Sequence, residues 1–492
     1  MFRHTTVKKS LILLVAALLC ITVALAACSE KPFTPNFTAN SGEAVGSNGG
    51  IAVTYGDYVY YVNGYESNVN AENTYVDTND APRIGSVVRI HKDKLAEAIA
   101  INENSDLSSS KKSEEIAKLV RENTDVVVPN IYYSGNSTTP ELNGIFIFNN
   151  RLYILTPNDQ LTAGGNPQTT QSVLMSFDLN GANAKRHFTF TSNAAQVWLY
   201  QDGNDVKATY LLNSELHVLD VASGEDVAIK NSKGENETVS TVKFDVSENS
   251  LGQCIFFLDS DGSICKLAKG ATQKTVLVDN SVGEDEEAQF TYTISSVSNG
   301  FVYYTVADSQ NSSLDGTQLF YTNSVVENGN HKVALDTANV PTYGWKDNKV
   351  IVVRQNDSGY YGLYVITEAN GSKAVTALLP GFNASSISIN KIDGDDVYYT
   401  AASVMYKKNL AEFFADGADV EALAETLGTP YAYSMSTSAT GWALPDVVMI
   451  GDVSYVFSLS NDSVSVVKFD AEKKTNSAAT TLTKTVESES ED

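Results

Sequence analysis

The chain has 492 residues, 42% of them hydrophobic and 19% charged, an ordinary balance for a packed protein and one that excludes wholesale disorder. Its formal net charge of −25 offers no basic patch to neutralise phosphates, so nucleic acid is excluded as a partner. The 25 Tyr and 19 Phe, set among Val, Ile and Thr, favour strands over helices.

Residues 1–28 read as a targeting segment. Arg3, Lys8 and Lys9 form a positive start, and the apolar stretch 11–24 is broken only by Thr22. It ends in Leu25-Ala26-Ala27-Cys28, which resembles the lipobox of bacterial lipoproteins. That resemblance implies cleavage before Cys28 and diacylation of its sulfur; cleavage after Ala24-Leu25-Ala26 is the competing reading. Two acyl chains suffice for stable anchoring, so the expected location is extracytoplasmic, on the bacterial cell membrane. Removing Arg3, Lys8 and Lys9 makes the mature charge −25 − 3 = −28. Residues 29–49, rich in Ser, Pro, Thr, Asn and Gly, read as a flexible tether with an r.m.s. reach of roughly 25 Å.

From residue 50 a unit recurs: a two-residue turn feeding a run of β-branched and aromatic residues. The turns are Gly56-Asp57, Asn149-Asn150, Asn204-Asp205, Leu251-Gly252, Asn299-Gly300, Asp347-Asn348, Gly394-Asp395 and Gly451-Asp452. Their spacings of 93, 55, 47, 48, 48, 47 and 57 residues settle near 48 in mid-chain, the mark of a repeat architecture. Each unit divides into four strand-sized pieces: 290–295, 301–306, 318–321 and 332–335 in one, and 241–246, 254–258, 263–267 and 274–278 in its neighbour. Four short antiparallel strands at this period predict an all-β protein, a β-propeller. Eight units count out, starting near 51, 143, 195, 241, 290, 342, 386 and 446; seven is the alternative if one is degenerate. The propeller spans 50–486, and an acidic tail, 487–492, follows. Two units carry helix-forming insertions after the third strand, near 92–123 and 409–428, expected on one face.

The Val-Tyr-Tyr runs at Val59-Tyr60-Tyr61, Val302-Tyr303-Tyr304 and Val397-Tyr398-Tyr399 resemble those of clostridia-like bacterial lipoproteins that carry propeller domains of unassigned function. They are more remotely similar to receptor-type propellers with a Tyr-Trp-Thr-Asp repeat, a tetrapeptide this chain lacks. The resemblance implies a fold and not an activity.

Sites are sought on the face that carries the loops between second and third strands. The candidates for ligand binding are Tyr65, Asn68, Asn73, Tyr75 and Asp77 in the first long loop, Asn158 and Asp159 in the second, and Asp308 and Asn311 in a third. Planar amides and rings suit sugar hydroxyls or peptide groups, although ordinary polar loops share this composition. Asp259-Ser260-Asp261-Gly262 lacks the ligand spacing of a calcium loop and reads as a hairpin turn. Cys254 and Cys265 flank that turn; with a four-residue loop they are diagonal neighbours, and a disulfide needs a bulge or a register shift. His91, His187, His217 and His331 lack ligand spacing, no catalytic or cofactor motif occurs, and neither a metal nor a cofactor is expected.

The function expected is a lipid-anchored binding module for a glycan or an envelope protein. A propeller-type glycosidase or lyase acting on extracellular polysaccharide, and a structural subunit of an envelope assembly, are the alternatives.

Overall fold

The structure is a computed structural model that describes residues 45–46, 50–64, 85–136, 139–158, 160, 171–191, 197–231, 233–245, 254–280, 290–326, 332–336, 342–355, 358–369, 372–382, 387–433, 447–459 and 463–485. It is an eight-bladed β-propeller. Blade 1 is built from Ala52–Tyr55, Tyr58–Val62, Val87–His91 and Thr124–Val128, antiparallel and in chain order. Blades 2 to 8 follow with the same order over 146–189, 197–228, 241–278, 290–336, 342–382, 387–433 and 447–481. Two additions extend this plan. Val45–Gly46 pairs with Phe146–Phe148, the first strand of blade 2, and Thr480–Thr481 pairs with the third strand of blade 8 beside Thr475–Asn476.

A blade lies between two neighbours, so both of its faces are buried and its strands read as continuous apolar runs rather than alternating ones. Val302-Tyr303-Tyr304 shows the consequence. Val302 and Tyr304 pack with Phe256 and Ile264 of blade 4, whereas Tyr303 packs with Val350 and Val352 of blade 6. Apolar clusters of this kind join each blade to the next from blade 2 to blade 8. Gly344 is fixed by one of these joins, because a Cβ there would stand 2.0 Å from the Tyr303 ring.

The turns between first and second strands take the left-handed conformation that Gly and Asn tolerate, with φ of 56° at Gly56, 49° at Asn149 and 57° at Gly394. In blade 3 the turn is Gly203-Asn204, one residue earlier than the sequence suggests, and Asp205 already belongs to the strand. The turn at Leu251-Gly252 lies outside the described residues. The cysteine hairpin also corrects the expected register. Leu258 faces Ile264 and Phe257 faces Cys265, so the loop has five residues, 259–263. Cys254 consequently points to blade 5 and Cys265 to blade 3, both buried, on opposite sides of one sheet and not joined by a disulfide.

The insertions are helical and follow the third strands of blades 1 and 7: α1 (Lys92–Glu103) and α2 (Ser109–Asn123), then a 3-10 turn (Ala411–Phe414) and α3 (Val420–Glu425). Both start against their own blade's tight turn, with Lys92 N donating to Asp57 O at 2.9 Å and Leu410 N to Asp395 O at 2.7 Å.

Blade 8 takes all its strands from the C-terminal part of the chain, so the ring closes through side chains. Asn63 and Lys484 exchange two hydrogen bonds: Asn63 Nδ2 donates to Lys484 O at 3.0 Å, and Lys484 N donates to Asn63 Oδ1 at 2.7 Å. Tyr61 OH donates to Leu482 O at 2.9 Å, and its ring lies 5.6 Å from Phe457. The Lys484 ammonium, buried, donates to Arg121 O (2.9 Å) and Thr124 O (2.6 Å), the orphan carbonyls at the end of α2. Replacing Asn63 by Ala strands the buried Lys484 amide. The expected cost is about 2–3 kcal/mol, read as a lower urea midpoint, whereas Asn102→Ala, on the exposed side of the same seam, costs less.

Candidate functional site

A cleft of about 560 Å³ opens between blades 2 and 3 on the tight-turn face. Asn149, Arg151, Tyr153, Lys185 and His187 line it from blade 2, and Asn204, Asp205 and Val221 from blade 3. The two turns that line it are tied together: Asn149 Nδ2 donates to Asn204 O at 3.0 Å, and Gln201 Nε2 donates to Asn149 Oδ1 at 3.0 Å.

One wall is held by a directional chain of hydrogen bonds. Arg151 Nε donates to Ser176 Oγ at 3.1 Å, and Ser176 Oγ lies 2.7 Å from His187 Nε2. His187 Nδ1 is 3.1 Å from Val221 O, which can only accept, so Nδ1 carries the proton and Nε2 accepts from the serine. The rest of the Arg151 guanidinium is paired with Asp178 and bonded to Ser176 O and Asn183 O. Burial, with the Arg151 and Lys185 cations beside it, holds the His187 pKa below its ordinary value despite the Val221 carbonyl. The pair has the atoms of a nucleophile and its base, but Ser176 is fully buried and does not meet the cleft. It therefore shapes the wall. Lys185 is exposed and has no acidic partner among the described residues, and Asp205 faces it from blade 3 as a second charged group open to a ligand. Arg186 spends its guanidinium on Asn158 Oδ1 and Thr189 Oγ1.

Of the residues picked from sequence, Tyr65, Asn68, Asn73, Tyr75, Asp77 and Asp159 lie outside the described residues, as does Cys28. Asn158 is buried: its Nδ2 donates to Gln171 Oε1 at 2.8 Å, and its Oδ1 accepts from Gln160 N and Arg186. Asp308 and Asn311 sit three blades away in one loop of blade 5. Asp308 Oδ1 accepts from Gln310 N, and Asn311 Oδ1 from Ser313 N and Oγ, so these oxygens close their own turns. The cleft between blades 2 and 3 lies on the opposite face. A signal for it stood in the sequence as Arg151, Lys185 and His187 in one unit of a strongly acidic chain, but only the pairing of strands brings them together.

Two further lysines, Lys274 partly buried and Lys408 buried, lie elsewhere. Lys274 pairs with Glu237 and, at 2.7 Å, with Asp259, whose Oδ2 also accepts from Cys265 Sγ. Burial alone would lower the Lys274 pKa; the two carboxylates outweigh it and hold it at about 12. Lys408 has no acidic partner among the described residues and donates to Leu378 O at 2.5 Å and Leu423 O at 2.9 Å, over the Phe413 ring, and burial lowers its pKa to about 8. Among the described residues no group of His, Cys, Asp and Glu is arranged to hold a metal ion.

No protein-family model matches the chain, and no curated protein matches its sequence. Solved structures that resemble it include a post-proline cleaving enzyme from Rickettsia typhi (12% identity, 86% of this chain and 58% of that one, TM-score 0.36). Others are Hsv2p of Kluyveromyces lactis (12%, 70% and 95%, 0.31) and the hydrazine synthase of Kuenenia stuttgartiensis (11%, 66% and 93%, 0.29). Likeness at this level carries no argument about activity.

Two titrations check these assignments. The unfolded chain takes up a proton at His187 near pH 6.5 while the fold resists it, so stability falls as pH drops from about 6.5 through the lower folded pKa. Thermal midpoints of the wild type should therefore fall relative to those of His187→Gln between pH 7 and 5. Lys408 has the opposite window: its burial penalty is full below its folded pKa of about 8 and vanishes as pH rises through the unfolded value. Raising the pH from 7 to 10 should improve the wild type relative to Lys408→Met.

Proposed function

We propose that this chain is a lipid-anchored extracytoplasmic binding module, with Cys28 as the acylated residue, a tether that ends where Val45 joins blade 2, and the cleft between blades 2 and 3 as its principal ligand site. The observation that carries the reading is the cleft itself: a recess of about 560 Å³ whose walls are fixed by the Arg151–Ser176–His187 chain and the Asn149–Asn204 tie. A preformed recess with few, placed polar groups spends little free energy on ordering when it binds. Lys185, Asp205 and Asn204 on its rim suit a ligand bearing hydroxyls or amides together with charge, such as an envelope glycan or a peptide.

The test has two arms. Metabolic labelling with a fatty-acid analogue should mark the wild type and not Cys28→Ser. A glycan array and a peptide array probed with the mature protein should give saturable binding that Lys185→Glu weakens by about tenfold, the scale of one charge-assisted hydrogen bond. Binding unaffected by Lys185→Glu and by Asn204→Ala would remove the cleft from the proposal, and turnover of a bound glycan would replace the binding module with an enzyme.

A further inference from the structure

Besides His187, four charged side chains line the cleft between blades 2 and 3, and two of them are already committed. Arg151 is paired with Asp178, and Arg186 is bonded to Asn158 Oδ1 and Thr189 Oγ1. The other two, Lys185 on blade 2 and Asp205 on blade 3, are exposed and opposite in sign. Among the described residues neither forms an ion pair, with the other or with any third group. Lys207, on the same strand as Asp205, is held by Asp202 at 2.9 Å.

A cleft with an open cation on one wall and an open anion on the other is complementary to a ligand that carries both signs. A glycan whose charges are all carboxylates satisfies the lysine and is repelled by Asp205, so it meets one favourable charge and one unfavourable one. A peptide with free ends meets two favourable ones. The spacing sets its length. Lys185–Thr189 is the fourth strand of blade 2 and Asp205–Leu212 the second strand of blade 3. The two anchors are therefore offset by two strand positions, about 10 Å across the strands. An extended peptide advances about 3.3–3.6 Å per residue, so three residues put a terminal ammonium and a terminal carboxylate at that separation. Beside Asp205, the exposed Asn204 side-chain amide has no hydrogen-bond partner among the described residues and can both donate to and accept from a peptide group. Val206, Val221 and Ala222 add apolar surface for small side chains.

We infer that the cleft takes a short peptide with both ends free, about three residues long, its carboxylate on Lys185 and its ammonium on Asp205. The inference rests on the cleft being the ligand site. It is tested by calorimetric titration of the mature protein with trialanine, N-acetyl-trialanine and trialanine amide. Trialanine should bind saturably, and blocking either end should weaken it about tenfold, the scale of one charge-assisted hydrogen bond. The variants should then separate the ends. Asp205→Asn should weaken trialanine about tenfold and leave N-acetyl-trialanine unchanged, whereas Lys185→Gln should weaken trialanine and leave trialanine amide unchanged. Both side chains are exposed, so neither variant threatens the fold. Blocked peptides that bind as tightly as trialanine, or variants that weaken all three peptides alike, overturn the inference. Saturable glycan binding that Lys185→Glu weakens, with no binding of trialanine, also overturns it and leaves the cleft standing as a glycan site. Binding of trialanine that ignores Lys185→Gln, Asp205→Asn and Asn204→Ala removes the cleft itself, and the inference with it.

Discussion

Every blade of this protein buries both faces, and that constraint governs the rest. A sheet apolar on two sides is stable only with a neighbour on each, so the array of blades must meet itself or leave two unprotected surfaces. Many rings close by completing one blade with strands from both ends of the chain. Here blade 1 and blade 8 are each whole, and the seam is made by Asn63, Tyr61 and Lys484. Two hydrogen bonds between a side-chain amide and one backbone residue mimic a step of sheet pairing, and they do so where both partners are buried and an unmade bond is costly.

The tight-turn face repeats this device on a smaller scale. Tyr55 OH reaches Asn150 Oδ1 at 2.6 Å from blade 1 to blade 2, Asn149 reaches Asn204 from blade 2 to blade 3, and Asn299 Nδ2 reaches Trp345 O (2.7 Å) and Gly394 O (3.0 Å) in blades 6 and 7. Asn thus serves twice, taking the left-handed turn conformation and tying one turn to the next. At the cleft such a tie joins the two turns, and Arg151 and His187 are satisfied by Ser176 and Val221.

Much of this was legible in the sequence. The recurrence of a turn before a Val-Tyr-Tyr type of run gives the blade, its strand order and its number, and helix-forming stretches after two third strands give the insertions. What could not be read depends on residues remote in sequence. Asn63 and Lys484 are 421 positions apart, and nothing in either neighbourhood announces the other. The hairpin at Asp259 failed by one residue because Asp259 Oδ1 accepts from both Asp261 N and Ser263 N, holding an extra residue in the loop, and one residue suffices to send Cys265 to the other face. Asn158 looked like a loop ligand because its type and position fit; burial and three partners turn it into a brace.

The two insertions share a solution and differ in one respect that matters. In each, a buried lysine neutralises the end of a helix: Lys484 beneath α2 and Lys408 beneath α3. Lys408 belongs to the third strand of blade 7 and also donates to Leu378 O of blade 6, so the blade 7 insertion is held between two consecutive blades. Lys484 comes from the far end of the chain, and Asn102 of α1 adds bonds to Ala479 O (3.0 Å) and Thr480 Oγ1 (2.9 Å). The blade 1 insertion is therefore part of the seam, packed both on its own blade and on the C-terminal end of the chain. Loosening α1 and α2 weakens the seam between blades 8 and 1, whereas loosening α3 weakens the join between blades 6 and 7.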